Sequence, residues 1–109
     1  MMTKRLIAAS ALCLSLLASS ALAQKKGDEA KGKEVFEQCG VCHSADTDEK
    51  KMGPSLKGLF KKEKLTNGQK PTDASVTAII NKGKGTMPAF GDVLSAEEKA
   101  DVLAYLKTL

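Results

Sequence analysis

The sequence predicts a small all-α domain. Three segments carry apolar residues at helical spacing, each opens on a capping residue, and the connectors between them are rich in turn signals without clean period-two alternation. The first helix is expected over about residues 28–38. Asp28 is its N-cap, and Gly32, Val35, Phe36 and Cys39 recur along one face. The second is expected over 73–82, with Thr72 capping, a stripe of Val76, Ile79 and Ile80, and Gly83 at its C-terminal stop. The third runs over about 96–108. Ser95-Ala96-Glu97-Glu98 is a capping box, and Val102, Leu103, Tyr105, Leu106 and Leu109 make the buried face. The lysine-rich stretch before the second helix is punctuated by Gly53-Pro54, Gly58, Asn67-Gly68 and Pro71, and Leu56, Leu59 and Phe60 suit one short helical turn within it. Asn67-Gly68 is a tight-turn signal, and residues 82–88 read as a loop.

Residues 1–23 are expected to be a secretory signal peptide, removed before Gln24. Lys4 and Arg5 form a positive start, residues 6–18 an apolar run, and Ala21-Leu22-Ala23 a small-x-small cleavage site. A membrane anchor needs roughly 17–25 apolar residues, so no stable membrane insertion is expected. Residues 24–109 then form one domain, exported to the periplasm. Losing Lys4 and Arg5 leaves 15 lysines against 13 acidic residues, a balance unlike that of a nucleic-acid binder. A domain of this size buries only about 60–65% of its unfolded surface. A large apolar cofactor would supply much of the missing core.

The mature segment keeps two cysteines, too close together to staple a domain. They lie in Cys39-Gly40-Val41-Cys42-His43, a Cys-x-x-Cys-His run that reads as a c-type haem attachment site. Cys39 and Cys42 would each form a thioether to one haem c, with His43 as an iron ligand. His43 is the only histidine, so a second axial ligand must be something else, and a thioether sulfur is the natural candidate. Met87 is well placed, in a glycine-rich loop with Pro88 restricting its backbone. Met52 is the competitor, but it follows His43 too closely to reach the other face of the ring easily.

Taken together these features resemble a class I monohaem cytochrome c over essentially the whole mature segment. Gly32 and Phe36 match the family's N-terminal helix, with Val102 and Tyr105 as their partners on the last helix. Gly53-Pro54-Ser55-Leu56-Lys57-Gly58 matches the family's Gly-Pro-x-Leu-x-Gly, and Met87-Pro88 its distal Met-Pro. The resemblance implies three main helices and a short helical turn wrapped around one covalent haem. It also implies that the Pro54 carbonyl accepts the ring N–H of His43, which would fix the tautomer and raise ligand basicity. On the propionate side the match departs: there is no Trp, Tyr105 is committed to helix packing, and Asn67, Gln69 and nearby lysines stay open as partners.

A thioredoxin-like site would need a βαβ context, and zinc a second ligand cluster; neither is present. Closed His/Met ligation favours an electron carrier over an enzyme. The expected function is therefore a monomeric, non-enzymatic carrier shuttling single electrons between a donor and an acceptor protein. Lys82 and Lys84 beside the Met87 loop would meet acidic docking surfaces. The alternatives are a small haem subunit of a larger periplasmic oxidoreductase and, failing Met87, a five-coordinate haem enzyme or sensor.

Overall fold

The computed structural model describes residues 27–109; the expected signal peptide and its cleavage site lie outside them. Three helices and one 3₁₀ turn follow in order: α1 (Glu29–Phe36), the 3₁₀ turn (Leu59–Lys61), α2 (Asp73–Lys82) and α3 (Ala96–Leu106). Among the described residues there is no sheet, only an isolated bridge between Lys84 and Met87.

Each helix starts where its cap predicts. The Asp28 carboxylate accepts from the N–H groups of Ala30 and Lys31. Thr72 with Ser75, and Ser95 with Glu98, form reciprocal capping boxes that satisfy N–H groups the first turn leaves unpaired. The C-terminal ends are shorter than periodicity suggests. α1 stops at Phe36, not Gln38, because the N–H groups of Cys39 and Gly40 both turn back to the Phe36 carbonyl. α3 stops at Leu106, with residues 107 and 108 in a looser turn. The short helical turn is smaller than expected: Leu56 lies before it, and Gly58, at φ 67°, is the left-handed residue that opens it.

α1 crosses α3 at close range. A Cβ built on Gly32 would stand 1.9 Å from the Asp101 carbonyl oxygen and 2.8 Å from the Tyr105 Cβ, so the crossing requires glycine. One turn further along, the Phe36 and Tyr105 rings meet at 5.2 Å between centroids, tilted by 53°, a geometry favoured by the ring quadrupoles. Val102 is the most deeply buried large side chain. The crossing is also locked by a polar contact that α3's sequence does not advertise: the buried Asp101 carboxylate accepts the Asp28 N–H at 2.8 Å. α2 joins α3 through an exposed Lys107–Asp73 ion pair at 2.8 Å, with the Lys107 ammonium 5.6 Å from the Phe60 ring centroid.

Overpacking a tight contact costs about 1–3 kcal/mol. Gly32→Ala is therefore expected to destabilise the haem-loaded protein by about 2–3 kcal/mol, read as a lower urea midpoint by far-ultraviolet circular dichroism. An unchanged midpoint would mean that the helices do not cross as described.

Candidate haem-binding site

Among the described residues, the eight buried hydrophobic side chains are Phe36, Leu59, Leu65, Val76, Ile80, Leu94, Val102 and Leu106. All of them line one cavity of about 510 Å³. They form one cluster, and one side of it borders this space. Left empty, apolar walls of this extent lose the packing partners that an occupant would supply. The fold is shaped around a large apolar occupant.

The five residues singled out from sequence all line this cavity: Cys39, Cys42, His43, Pro54 and Met87. After α1 the chain continues as tight turns, with the N–H groups of Cys42 and His43 both directed to the Cys39 carbonyl at 3.1 and 3.0 Å. These turns place two free thiols and an imidazole on one wall. Burial pushes the Cys39 thiol up from its ordinary value. A redox-active Cys-x-x-Cys pair needs a depressed thiol pKa, so its environment does not favour that chemistry.

His43 is held from two sides. Its Nδ1 lies 2.7 Å from the Pro54 carbonyl oxygen, and a carbonyl can only accept, so Nδ1 carries the proton and donates it. Nε2 is then the basic nitrogen, available to a metal. Gly53 packs flat against the ring: a Cβ there would stand 2.5 Å from the imidazole Cε1. The Gly53 N–H bonds back to the Cys42 carbonyl at 2.8 Å, tying this segment to the thiol-bearing turns.

Met87 is fixed by backbone. Its N–H donates to the Lys84 carbonyl at 3.0 Å, and its carbonyl accepts the Lys84 N–H at 3.1 Å, closing a two-residue hairpin where sequence suggested an irregular loop. Gly85 at φ 61° supplies the positive φ that the first loop residue of such a turn favours, and Gly83 at φ 72° is where the chain leaves α2. Phe90 and Gly91 then donate to the Ile80 and Asn81 carbonyls, clamping the loop to the end of α2. Met52 also borders the cavity, but it is 73% exposed, and its sulfur lies 3.9 Å from the Cys42 sulfur, beside the attachment turns.

The residues present fit a haem. Paired thiols, an imidazole of fixed tautomer, a thioether on a backbone-bonded hairpin and an apolar enclosure share one cavity. Sequence reading missed Leu65, Leu94, Lys64 and Thr66 as lining residues; they come from loops whose path only the tertiary fold defines.

Residues 27–106 match the family described as cytochrome c oxidase, cbb3-type, subunit III. A cytochrome c6 from Rippkaea orientalis is 40% identical over 81 residues, covering 73% of this chain and 69% of the relative. Cytochrome c2 iso-1 from Magnetospirillum molischianum is 33% identical over 93 residues, covering 69% and 93%. Among solved structures, cytochrome c6 from the diatom Phaeodactylum tricornutum aligns with a TM-score of 0.58 at 33% identity, covering 75% of this chain and 93% of its own. Cytochrome cH from Methylobacterium extorquens shares the fold, with a TM-score of 0.58 at 24% identity over 76% and 100%.

Proposed function

Because this chain belongs to the class I cytochrome c family and binds one covalent haem c, we propose that it is a soluble, monomeric carrier of single electrons with His/Met axial ligation. Cys39 and Cys42 hold the cofactor, His43 is the proximal ligand, Met87 is the distal one, and Pro54 orients His43. The observation that carries this reading is that a tautomer-fixed histidine and a backbone-clamped methionine line the same apolar cavity.

The bound iron supplies the one-electron couple, and Met/His ligation raises its potential. The protein contributes positioning and exclusion. The Pro54 carbonyl keeps the His43 proton on Nδ1 and increases donor strength at Nε2. The backbone bridge at Lys84–Met87 would keep the Met87 segment in place, which favours little rearrangement between oxidation states. The half-buried Leu56, Ile79 and Phe90 extend the apolar wall against water. With both axial positions taken, the chain works as a carrier and not an enzyme, in keeping with its cytochrome c6 and cytochrome c2 relatives.

Residues 1–23 act as the export signal, and residues 24–109 work in the periplasm between a protein donor and a protein acceptor. No helix among the described residues is long and apolar enough to cross a membrane. Exposed lysines beside the Met87 hairpin, Lys82 and Lys84, and those after Pro54 favour acidic partners. The match to an oxidase-subunit family supports a second reading, a haem subunit docked on a larger periplasmic oxidoreductase.

Two measurements test this. The oxidised protein is expected to show the weak sulfur-to-iron band at the red end of the visible spectrum. Met87→Ala should abolish it and allow carbon monoxide to bind the reduced protein; a band that survives would transfer the ligand role elsewhere, Met52 first. Lys82→Glu should flatten the dependence of electron-transfer rate on ionic strength with an acidic partner, since steering is screened by salt. An unaltered dependence would remove Lys82 from the docking surface.

A further inference from the structure

The cavity's charged lining is one-sided. Lys62, Lys64 and Lys84 border it, and no aspartate or glutamate does. None of the three lysines is paired with a carboxylate among the described residues. The Lys62 ammonium already donates to the Ser55 carbonyl at 2.8 Å. Lys64 has no side-chain partner among the described residues, and the Lys84 ammonium stands 3.5 Å from the Thr66 hydroxyl, at the outer limit of a hydrogen bond. Lys84 and Thr66 thus converge on the cavity mouth with donor capacity to spare, since an ammonium offers three N–H groups.

The backbone beneath them is set. Lys84 belongs to the hairpin closed by Met87, and Thr66 lies in a turn closed by the Leu65 N–H on the Gln69 carbonyl at 2.7 Å and the Gly68 N–H on the Leu65 carbonyl at 2.9 Å. Asn67 and Gln69, which the sequence left open as partners, are occupied with each other. The Asn67 amide donates to the Gln69 side-chain oxygen at 3.1 Å, and its own oxygen accepts the Gln69 N–H at 2.9 Å. Neither lines the cavity, and nor does Tyr105, whose ring packs tilted against Phe36.

We propose that the Lys64 and Lys84 ammonium groups, with the Thr66 hydroxyl, hold the two haem propionates at the mouth of the cavity. The assignment rests on the haem reading above and adds its anionic anchor. A carboxylate drawn partly out of water needs a compensating charge or hydrogen bonds, and this is the stretch of the lining that offers both unspent. Because these side chains are exposed, the pairs add little to stability; they fix where the carboxylates lie. They also place Lys84 between two tasks: its backbone holds Met87 and its side chain holds a propionate. Partner steering then falls mainly to Lys82 and to Lys57, Lys61 and Lys62, whose charges stay uncompensated by the cofactor.

The test uses the reduced, diamagnetic haem-loaded protein. Nuclear Overhauser contacts from the propionate methylene protons are expected to reach the side chains of Lys84, Thr66 and Lys64. Lys64→Gln and Lys84→Gln should each lower the midpoint potential by more than Lys82→Gln, because a bare carboxylate favours ferric iron. Lys84→Arg should restore most of the shift. Propionate contacts to other residues, or equal shifts in the Lys82 and Lys84 variants, would overturn the assignment while leaving the haem in place. Absence of any haem resonance would instead defeat the haem reading on which it stands.

Discussion

Among the described residues, every buried hydrophobic side chain of the core borders one cavity, so much of the burial that should stabilise the domain depends on what fills that space. Hydrophobic burial contributes about 25 cal/mol per Å², but apolar walls facing a void lose their packing partners as well. The occupant is therefore a structural element, and covalent attachment through Cys39 and Cys42 is a reasonable device for keeping it in place. A short chain with four aromatic residues and no Trp gains through a cofactor what its own side chains cannot supply.

Around that constraint the polypeptide divides the work. The α1–α3 crossing, which depends on Gly32 and the Phe36–Tyr105 contact, is the part of the fold that packs protein on protein. It leads directly into the turns bearing Cys39, Cys42 and His43. The segment bearing Met87, the Lys84–Met87 hairpin, is held by backbone hydrogen bonds and the end of α2. The imidazole and the thioether thus stand on separately braced supports. Under the proposed His/Met ligation, that independence would suit an iron site that must hold its geometry through a change of charge.

Much of this was legible in the sequence, for identifiable reasons. Capping residues act locally, so Asp28, Thr72 and Ser95 marked the helix starts without knowledge of the tertiary fold. The His43–Pro54 contact came through a family resemblance, since nothing in composition or spacing dictates a bond across eleven positions. The end of α1 was harder to read because Cys39 continues the helical stripe although the backbone has left the helix. The Lys84–Met87 hairpin lacks flanking strands, and so lacked the alternation that would reveal it. Asp101 looks like a solvent-facing charge on α3, and only the arrival of α1 makes it a buried acceptor for Asp28. Lys64 and Thr66 are likewise ordinary loop residues until the chain folds them over the cavity mouth.

The central claim is that the fold closes on its cofactor, and the haem-free chain tests it most directly. A Cys39→Ala/Cys42→Ala variant of residues 24–109, prepared without attached haem, is to be examined by far-ultraviolet circular dichroism through a thermal scan. The account predicts a largely unfolded chain, with most of the helical signal lost and no cooperative transition. A native-like helical spectrum with a cooperative melt would show that the eight cavity-lining side chains can form a core by themselves, and would contradict it.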